Sequence, residues 1–188
     1  MAAQLPYLIY GQGSPMSSTA FKALARDAMN SQDARILEYC TLDPDPISAI
    51  EENWAAYSRP PKRTKSDFIN DWKEWERTLR LNLAKGRLQK LKREGAAIDP
   101  PEYPQDAVTA AKTALAMESP LEAEIFLDKA RWSAIENLQG ISSFSENAMY
   151  AYLLKLLLME RRAAFITEEG FTEYKGLYAA ILGSKTQV

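Results

Sequence analysis

Between residues 118 and 165 the sequence carries the boundary signals of two consecutive helices. Ser119 can accept hydrogen bonds from the first-turn amides as an N-cap, and Pro120 suits the first helical position because its missing N–H would have no partner there. Glu122, three residues after Ser119, completes a capping box, and Gly140 ends the helix. The apolar residues that recur at helical spacing predict one buried stripe, made of Leu121, Ile125, Trp132, Ile135 and Leu138.

A second helix is predicted directly after the first, so that the two form a helical hairpin. Ser143 and Glu146 offer another capping box for a helix that runs through Met159. Its leucine-rich run, residues 153–158, is interrupted by Lys155 and falls well short of the roughly twenty residues that a membrane span needs. This run therefore predicts a core helix.

Helical spacing also dominates the rest of the chain. The proline-free stretch 66–94 predicts one long helix, and an alanine-rich helix is predicted over 104–117. Shorter helices are predicted after Ser17 or Ser18, after Ser31, over residues 47–57 and after Thr167. The N-terminal run 5–10 favours extended geometry. We therefore predict an all-α fold, an elongated multi-helix bundle of about six to eight helices with a short extended N-terminal segment.

The proline-rich tract 95–104 is the best candidate for an internal linker. At 188 residues the chain can bury a core without a disulfide or a structural metal. We expect a single all-helical domain over residues 1–188, or two helical lobes, an N-terminal one over 1–98 and a C-terminal one over 104–188.

The residue content excludes several classes of enzyme. The chain has no histidine and a single cysteine, Cys40, so Ser-His-Asp, Cys-His and HExxH sites cannot form, and neither can an intramolecular disulfide or a thiolate zinc cluster. There is no GxxxxGKS/T loop, and Gly11 and Gly13 lack the third glycine of a GxGxxG loop. We expect a protein that is not an enzyme, with no catalytic residue, no cofactor and no metal.

The first thirteen residues, MAAQLPYLIYGQG, contain no basic residue, and their apolar run is too short for a signal peptide or a membrane anchor. Together with the single cysteine, which suits a reducing compartment, this indicates a cytoplasmic protein.

Charge is distributed unevenly along the chain. The formal net charge is −2, yet residues 59–93 hold twelve basic and four acidic side chains, whereas the segments before and after are acidic. Such an excess can mark a face for a polyanion or for an acidic protein partner. The candidate partner-binding residues lie at the end of the long predicted helix and are Lys85, Arg87, Lys90, Lys92 and Arg93.

Two other interpretations remain open. The basic stretch, with Trp72 and Trp75 before it, resembles a nucleic-acid footprint in composition, although tryptophans on a helical stripe are more often core residues. Glu124 and Asp128 could hold a metal or act as an acid-base pair. Their i,i+4 spacing, with Arg131 at i,i+3 from Asp128, favours an ion-pair row instead.

The segment SPLEAEIFLDKARWSAIENL, followed by AYLLKLLLMERRAAF and GLYAAIL, resembles the C-terminal signature of a bacterial family of unknown function encoded beside V-type ATPase genes. The opening LPYLIYGQGSP resembles the start of that family. The family is similar to the C subunit of A/V-type ATPases, called d in eukaryotes. The matching positions are Pro120, Leu121, Glu122, Glu124, Leu127, Asp128, Arg131, Trp132, Tyr152, Leu154, Lys155, Leu156, Glu160 and Arg161. Ser119 replaces the usual aspartate, and Arg162 stands where the pattern often has tryptophan.

The resemblance implies a non-catalytic, all-helical socket that couples the central stalk of a V-type ATP synthase to its membrane rotor. The implied partners are central-stalk and rotor-ring subunits, with no small-molecule substrate. The implied place is the cytoplasmic side of the inner membrane, which the protein would contact only through the complex. The alternative is an independent helical module that binds nucleic acid or protein through the basic 59–93 face.

Overall fold

The computed structural model describes residues 5–42, 63–91, 99–141 and 145–166. Six α-helices and one 3₁₀ turn lie in these ranges, which contain no strand. The helices are α1 (Ser18–Ala28), α2 (Ser31–Ile36), α3 (Asp67–Lys90), α4 (Gln105–Ala116), α5 (Pro120–Gln139) and α6 (Glu146–Ile166), and the 3₁₀ turn is Leu37–Tyr39. The predicted all-α fold is confirmed.

The extended N-terminal segment is not confirmed, because residues 5–17 form no strand. Two tyrosine hydroxyls hold this segment against the hairpin instead, one from each side. The Tyr152 hydroxyl donates to the Pro6 carbonyl at 3.0 Å, and the Tyr10 hydroxyl donates to the Ile125 carbonyl at 3.1 Å. The segment is thus bound by its long-range contacts and not by a strand ladder.

Capping hydrogen bonds are found at three of the predicted helix starts. Ser17, Ser66 and Ser119 each accept from the backbone amide three residues further on, as N-caps of α1, α3 and α5. Each bond satisfies one of the amides that a helix start leaves without an intrahelical partner. Gly140 ends α5 with a φ of +69°, a conformation that glycine adopts without steric cost.

Some boundaries differ from the prediction. Asn30 caps α2 by accepting from two amides, so that Ser31 is the first residue of the helix and not its cap. The long helix α3 ends at Lys90, four residues before the predicted end. The helices predicted over 47–57 and after Thr167, and the predicted cap at Ser143, lie outside the described residues.

Helix α3 packs against α4 and α5, and α6 packs against α1 and α5. Trp72 and Trp75 of α3 are 1% and 2% exposed, with their rings stacked at 5.8 Å, so they are core residues as the helical stripe indicated. The leucine-rich run of α6 is also core, since Leu153, Leu154 and Leu156 are fully buried. Within the described ranges, no helix combines the length and the apolar character that crossing a membrane requires.

Cys40, just after the 3₁₀ turn, is fully buried, and its Sγ donates to the Ile36 carbonyl at 3.8 Å. Burial raises the pKa of this thiol far above its usual value, although Lys22 and Lys73 oppose the shift. The side chain is therefore protonated and unreactive at neutral pH.

The buried face of α5 differs in part from the predicted stripe. Trp132 and Ile135 are buried as predicted, but Ile125 is 44% exposed. The helix instead turns Leu127, Asp128 and its ion-pair partners toward α3. An apolar stripe could not reveal this, because the buried face of α5 includes charged residues.

Candidate partner-binding site

The centre of the candidate site is an ion pair that links α3 to α5. Glu76 of α3 is 1% exposed and accepts from Arg131 of α5 through both carboxylate oxygens, at 3.0 Å each. This two-pronged geometry is the strongest arrangement available to an arginine and a carboxylate. Arg80, one turn after Glu76, adds a contact of 2.7 Å to the same carboxylate.

The ion pairs continue toward α6. Arg131 also donates to Asp128 at 3.3 Å, which confirms the predicted i,i+3 pair. In α6, the Nε of Arg161 lies 3.9 Å from the Oδ1 of Asp128, and its Nη2 lies 3.1 Å from the Oε2 of Glu124. Arg87 of α3 closes the series at 3.7 Å from Glu124. We call this set of four arginines and three carboxylates the ion network.

The two buried carboxylates of the ion network respond differently to their surroundings. Burial acts to raise the pKa of Glu76, but attraction and hydrogen bonds from Arg131 and Arg80 outweigh it and hold the pKa below its usual value. For Asp128 the effect of burial is larger than the attraction of Arg161 and Arg131, so its pKa lies above the usual value. The ion network therefore favours the charged form of Glu76, whereas burial favours the protonated form of Asp128.

A pocket of about 470 Å³ opens onto the ion network. We call it the arginine pocket, and its lining residues are Leu42, Arg80, Leu83, Arg87, Glu124, Leu127, Arg131 and Arg161. These side chains offer positive charge and hydrogen-bond donors, and none of them is a nucleophile. Arginine also does not deprotonate in proteins, so the pocket suits recognition of an acidic group and not proton transfer.

The structure describes three of the five predicted partner-binding residues, and Lys92 and Arg93 lie outside the described residues. Arg87 is 62% exposed at the rim of the arginine pocket. Lys85 is half-buried, whereas Lys90 is exposed and donates to the Leu115 carbonyl at the end of α4. Arg87 is thus the described member of the set best placed to meet a partner.

Among the described residues, cations of the basic stretch 59–93 lie at both ends of a long helix. Helix α3 has 24 residues and therefore spans about 36 Å. Arg63 and Lys65 precede its first turn, whereas Arg87 and Lys90 lie in its last turns. The charge excess seen in the sequence is therefore divided between the two ends of a long helix.

The proposed metal or acid-base role of Glu124 and Asp128 finds no support in their surroundings. Both carboxylates face arginines, as the ion-pair interpretation predicted. Within the ranges that the structure describes, no three or more histidine, cysteine or acidic side chains are grouped as a metal site requires.

Positions that carry the family resemblance have structural contacts here. Asp128, Arg131 and Arg161 belong to the ion network. Lys155 lies 3.1 Å from Glu136 and 5.0 Å from the Trp132 ring centroid. These contacts join the two helices of the hairpin to each other and to α3.

Sequence reasoning missed Glu76 and Arg80 as part of the site. Their i,i+4 spacing was a detectable signal for a surface pair. The decisive partner of Glu76 is Arg131, which is 55 positions away in the sequence. No local pattern contains that information.

Comparisons with protein-family models, with curated proteins and with solved structures found no match for this chain.

Proposed function

We propose that this chain is a non-catalytic component of a V-type ATP synthase or ATPase, similar in role to the C subunit, and that it couples the central stalk to the membrane rotor. The proposal rests on the sequence resemblance, whose polar positions recur in the ion network and in the hairpin contacts. Helices tied together by buried, oriented ion pairs suit a part that transmits force between partners without deforming.

The observation that carries a partner-binding role is the exposed end of α3 beside the arginine pocket. Arg87 is 62% exposed, and Leu91, one turn later, is a 63% exposed apolar side chain. Arginine next to exposed apolar surface is typical of protein interfaces. The partner would present acidic side chains, as proteins of the central stalk or the rotor ring could do.

The proposed place of the protein follows from these partners. It would lie on the cytoplasmic side of the inner membrane and touch the membrane only through the assembly. In this role the arginine pocket serves the protein contact and binds no small-molecule substrate.

Purification of the native assembly tests the proposal. A tagged chain expressed in its own host should co-purify with the stalk and rotor proteins, and its deletion should reduce ion pumping per ATP hydrolysed. If the intact ATPase lacks the protein and the deletion strain pumps normally, the proposal fails.

A charge variant tests the interface itself. Lys85→Gln combined with Arg87→Gln should slow association with the stalk or rotor several-fold at low ionic strength and less at high salt, because these charges steer the encounter. Lys90 is left intact, since it also binds the Leu115 carbonyl. Lys112→Gln with Lys129→Gln removes the same charge from exposed positions of α4 and α5 and should leave the rate unchanged. Equal rates for both variants would place the interface elsewhere.

The alternative function, a nucleic-acid-binding module, makes a separate prediction. Duplex or single-stranded oligonucleotides of random sequence would bind with an affinity that falls steeply with salt, because several phosphates would be neutralised at once. A binding site spanning both ends of α3 would have to extend over about 36 Å. Short oligonucleotides should then bind much more weakly than long ones.

A further inference from the structure

A second cationic pocket lies at the opposite end of α3 from the arginine pocket. Its volume is about 580 Å³, and it is formed by α2, the 3₁₀ turn and the segment that leads into α3. We call it the α2 pocket. Its lining residues are Ser31, Gln32, Arg35, Ile36, Tyr39, Arg63, Thr64 and Lys65.

The three cations of the α2 pocket are not neutralised within the part of the chain that the structure describes. Arg35, Arg63 and Lys65 form no ion pair with any described carboxylate. The two carboxylates closest in sequence to Arg35 have other partners, because Asp33 accepts from Asn30 and Glu38 pairs with Arg26 and Lys22. Asp67, two residues after Lys65, is the first residue of α3 and does not line the pocket.

A fourth positive charge stands at the rim of the α2 pocket. The Nζ of Lys73 lies 4.7 Å from the centroid of the Tyr39 ring, which lines the pocket and is 49% exposed. An ammonium over a tyrosine face is held there by the ring quadrupole. The three cations that line the pocket, Arg35, Arg63 and Lys65, repel one another, and an anion between them would relieve that repulsion.

The balance of positive and negative charges in the α2 pocket differs from that in the arginine pocket. There, four arginines face three carboxylates of the same chain, and the charges are nearly matched. The lining of the α2 pocket holds three cations and no carboxylate, which is an excess of three positive charges among the lining residues, with the Ser31 hydroxyl and the Gln32 amide as further hydrogen-bond donors. A single carboxylate would neutralise only part of this excess, whereas a phosphate brings up to two charges and several acceptor oxygens.

We propose that the α2 pocket binds a phosphate group through Arg35, Arg63 and Lys65. The guanidinium group of arginine can form two parallel hydrogen bonds to phosphate oxygens, and the lysine ammonium adds a compact positive charge. The group could be that of a free phosphorylated small molecule or of an anionic lipid headgroup at a membrane surface. Both sources present the same chemistry to the pocket, and this site is independent of the protein contact at the other end of α3.

The test measures binding of two probes to the full chain. Isothermal titration with inorganic pyrophosphate represents the free source, and co-sedimentation with phosphatidylglycerol–phosphatidylcholine vesicles represents the lipid source. At least one probe should bind the wild type at low ionic strength. Arg35→Gln combined with Arg63→Gln should weaken that binding by at least about tenfold, because one charge-assisted hydrogen bond alone accounts for about that factor.

The matched control is again Lys112→Gln with Lys129→Gln, which changes the net charge equally at exposed sites away from the pocket. Its binding should equal that of the wild type. Circular dichroism checks that each variant is folded, and the single variant Lys65→Gln provides a milder change if the double variant does not fold.

The pattern across the two probes identifies the source of the phosphate. Loss of pyrophosphate binding in the pocket variant alone indicates a free phosphorylated ligand, and loss of vesicle binding in that variant alone indicates a lipid headgroup. If the wild type binds neither probe, or if the control loses as much binding as the pocket variant, the α2 pocket is not a phosphate site.

Discussion

Glu76 is a charged residue in the core, and its neighbours decide whether that charge is tolerated. It is 1% exposed, and Arg131 is 4% exposed beside it. Removing two charges from water costs several kcal/mol per ion, which the ion pair offsets only when its geometry is good and its other hydrogen bonds are made. Arg80 and Asp128 supply those additional contacts.

Glu76→Gln should therefore destabilise the fold by about 3–5 kcal/mol, because it leaves Arg131 buried with a weakened partner. Urea unfolding followed by circular dichroism measures the change. Glu74→Gln, two residues earlier and 38% exposed, removes a surface pair with Arg77 and should cost less than about 1 kcal/mol. Similar losses of unfolding free energy in the two variants would show that the buried pair contributes no more to stability than the surface pair.

The opposite pKa shifts of Glu76 and Asp128 predict opposite pH effects. The folded-state pKa of Glu76 is lowered from 4.5, so the unfolded chain takes up its proton first and stability is lost as the pH falls below about 4.5. The pKa of Asp128 is raised by burial, so its protonation favours the folded state slightly as the pH falls.

Urea unfolding between pH 6 and pH 3 separates these two effects. The stability of Glu76→Gln should fall less over this range than that of the wild type, and the stability of Asp128→Asn should fall more. Parallel curves for all three proteins would contradict the assigned directions.

Trp132 is the aromatic residue that joins the hairpin to the N-terminal segment. It is 6% exposed, its ring meets Tyr10 edge-on at 5.6 Å, and its Nε1 donates to Glu136 at 2.9 Å. Trp132→Ala should cost about 3–5 kcal/mol through lost burial and the cavity left behind. Trp132→Phe, which keeps an aromatic ring, should cost clearly less. A loss below about 1 kcal/mol for the alanine variant in denaturant melts would contradict this packing.

At the scale of single residues, the sequence predicted local pairs better than distant ones. The Asp128–Arg131 pair follows from helical spacing and is confirmed. The Glu76–Arg131 pair depends on how α3 lies against α5, and nothing near either residue encodes that. Buried charge also misleads a prediction based on apolar stripes, as the exposure of Ile125 shows.

At the scale of the helices, α3 is shaped by a glycine near its end. A Cβ at Gly86 would overlap the Cδ1 methyl of Leu115, so the missing side chain lets α4 pack close to α3. Glycine inside a helix costs about 0.5–1 kcal/mol relative to alanine. The close contact between the two helices is thus obtained at some cost in helix propensity.

This arrangement predicts a background-dependent effect of Gly86→Ala. In a Leu115→Ala protein, Gly86→Ala should stabilise the fold by about 0.5–1 kcal/mol, because the propensity gain is unopposed. In the wild type the gain should shrink or reverse, since Leu115 must leave its rotamer. Urea unfolding of the four proteins in this cycle measures the coupling. A Gly86→Ala effect that is the same in both backgrounds would show that the two residues do not interact.

Helix boundaries could largely be predicted because caps are local chemistry. Ser17 and Ser119 cap their helices as the sequence indicated, and α3 begins directly after Ser66, where the proline-free stretch starts. The end of α3 was predicted four residues too late, because helix ends fray and the apolar spacing of the sequence does not mark where the last turn stops.

At the scale of the whole molecule, the N-terminal part is fastened to α6 by a carboxylate. Glu160 accepts from the Ser18 backbone N at 2.6 Å and from the Ser18 hydroxyl at 2.7 Å. Ser18 is the first residue of α1, so a negative charge stands at the positive end of that helix dipole. The two residues are 142 positions apart, and only the assembled fold brings them together.

Glu160→Gln should loosen α1 without unfolding α6. The neutral amide keeps one acceptor and loses the charge, a change worth about 1–2 kcal/mol. Hydrogen exchange of the α1 amides should then speed up by about 5- to 30-fold, whereas exchange in α6 should change little. Glu118→Gln, at an exposed acidic position, is the matched control. Uniform acceleration across both helices would indicate global destabilisation instead.

The labelling rate of the Cys40 thiol can be used to measure local opening of this fold. Because the one thiol of the chain is buried and protonated, a thiol reagent can reach it only when the region around α2 and the 3₁₀ turn opens. The labelling half-time of the unaltered protein thus reports how often that region opens, with no probe introduced. Tyr39, the neighbour of Cys40 in the sequence, lines the α2 pocket. A ligand that binds there only while the region is closed should lengthen the half-time by a factor of one plus the ratio of the free ligand concentration to Kd.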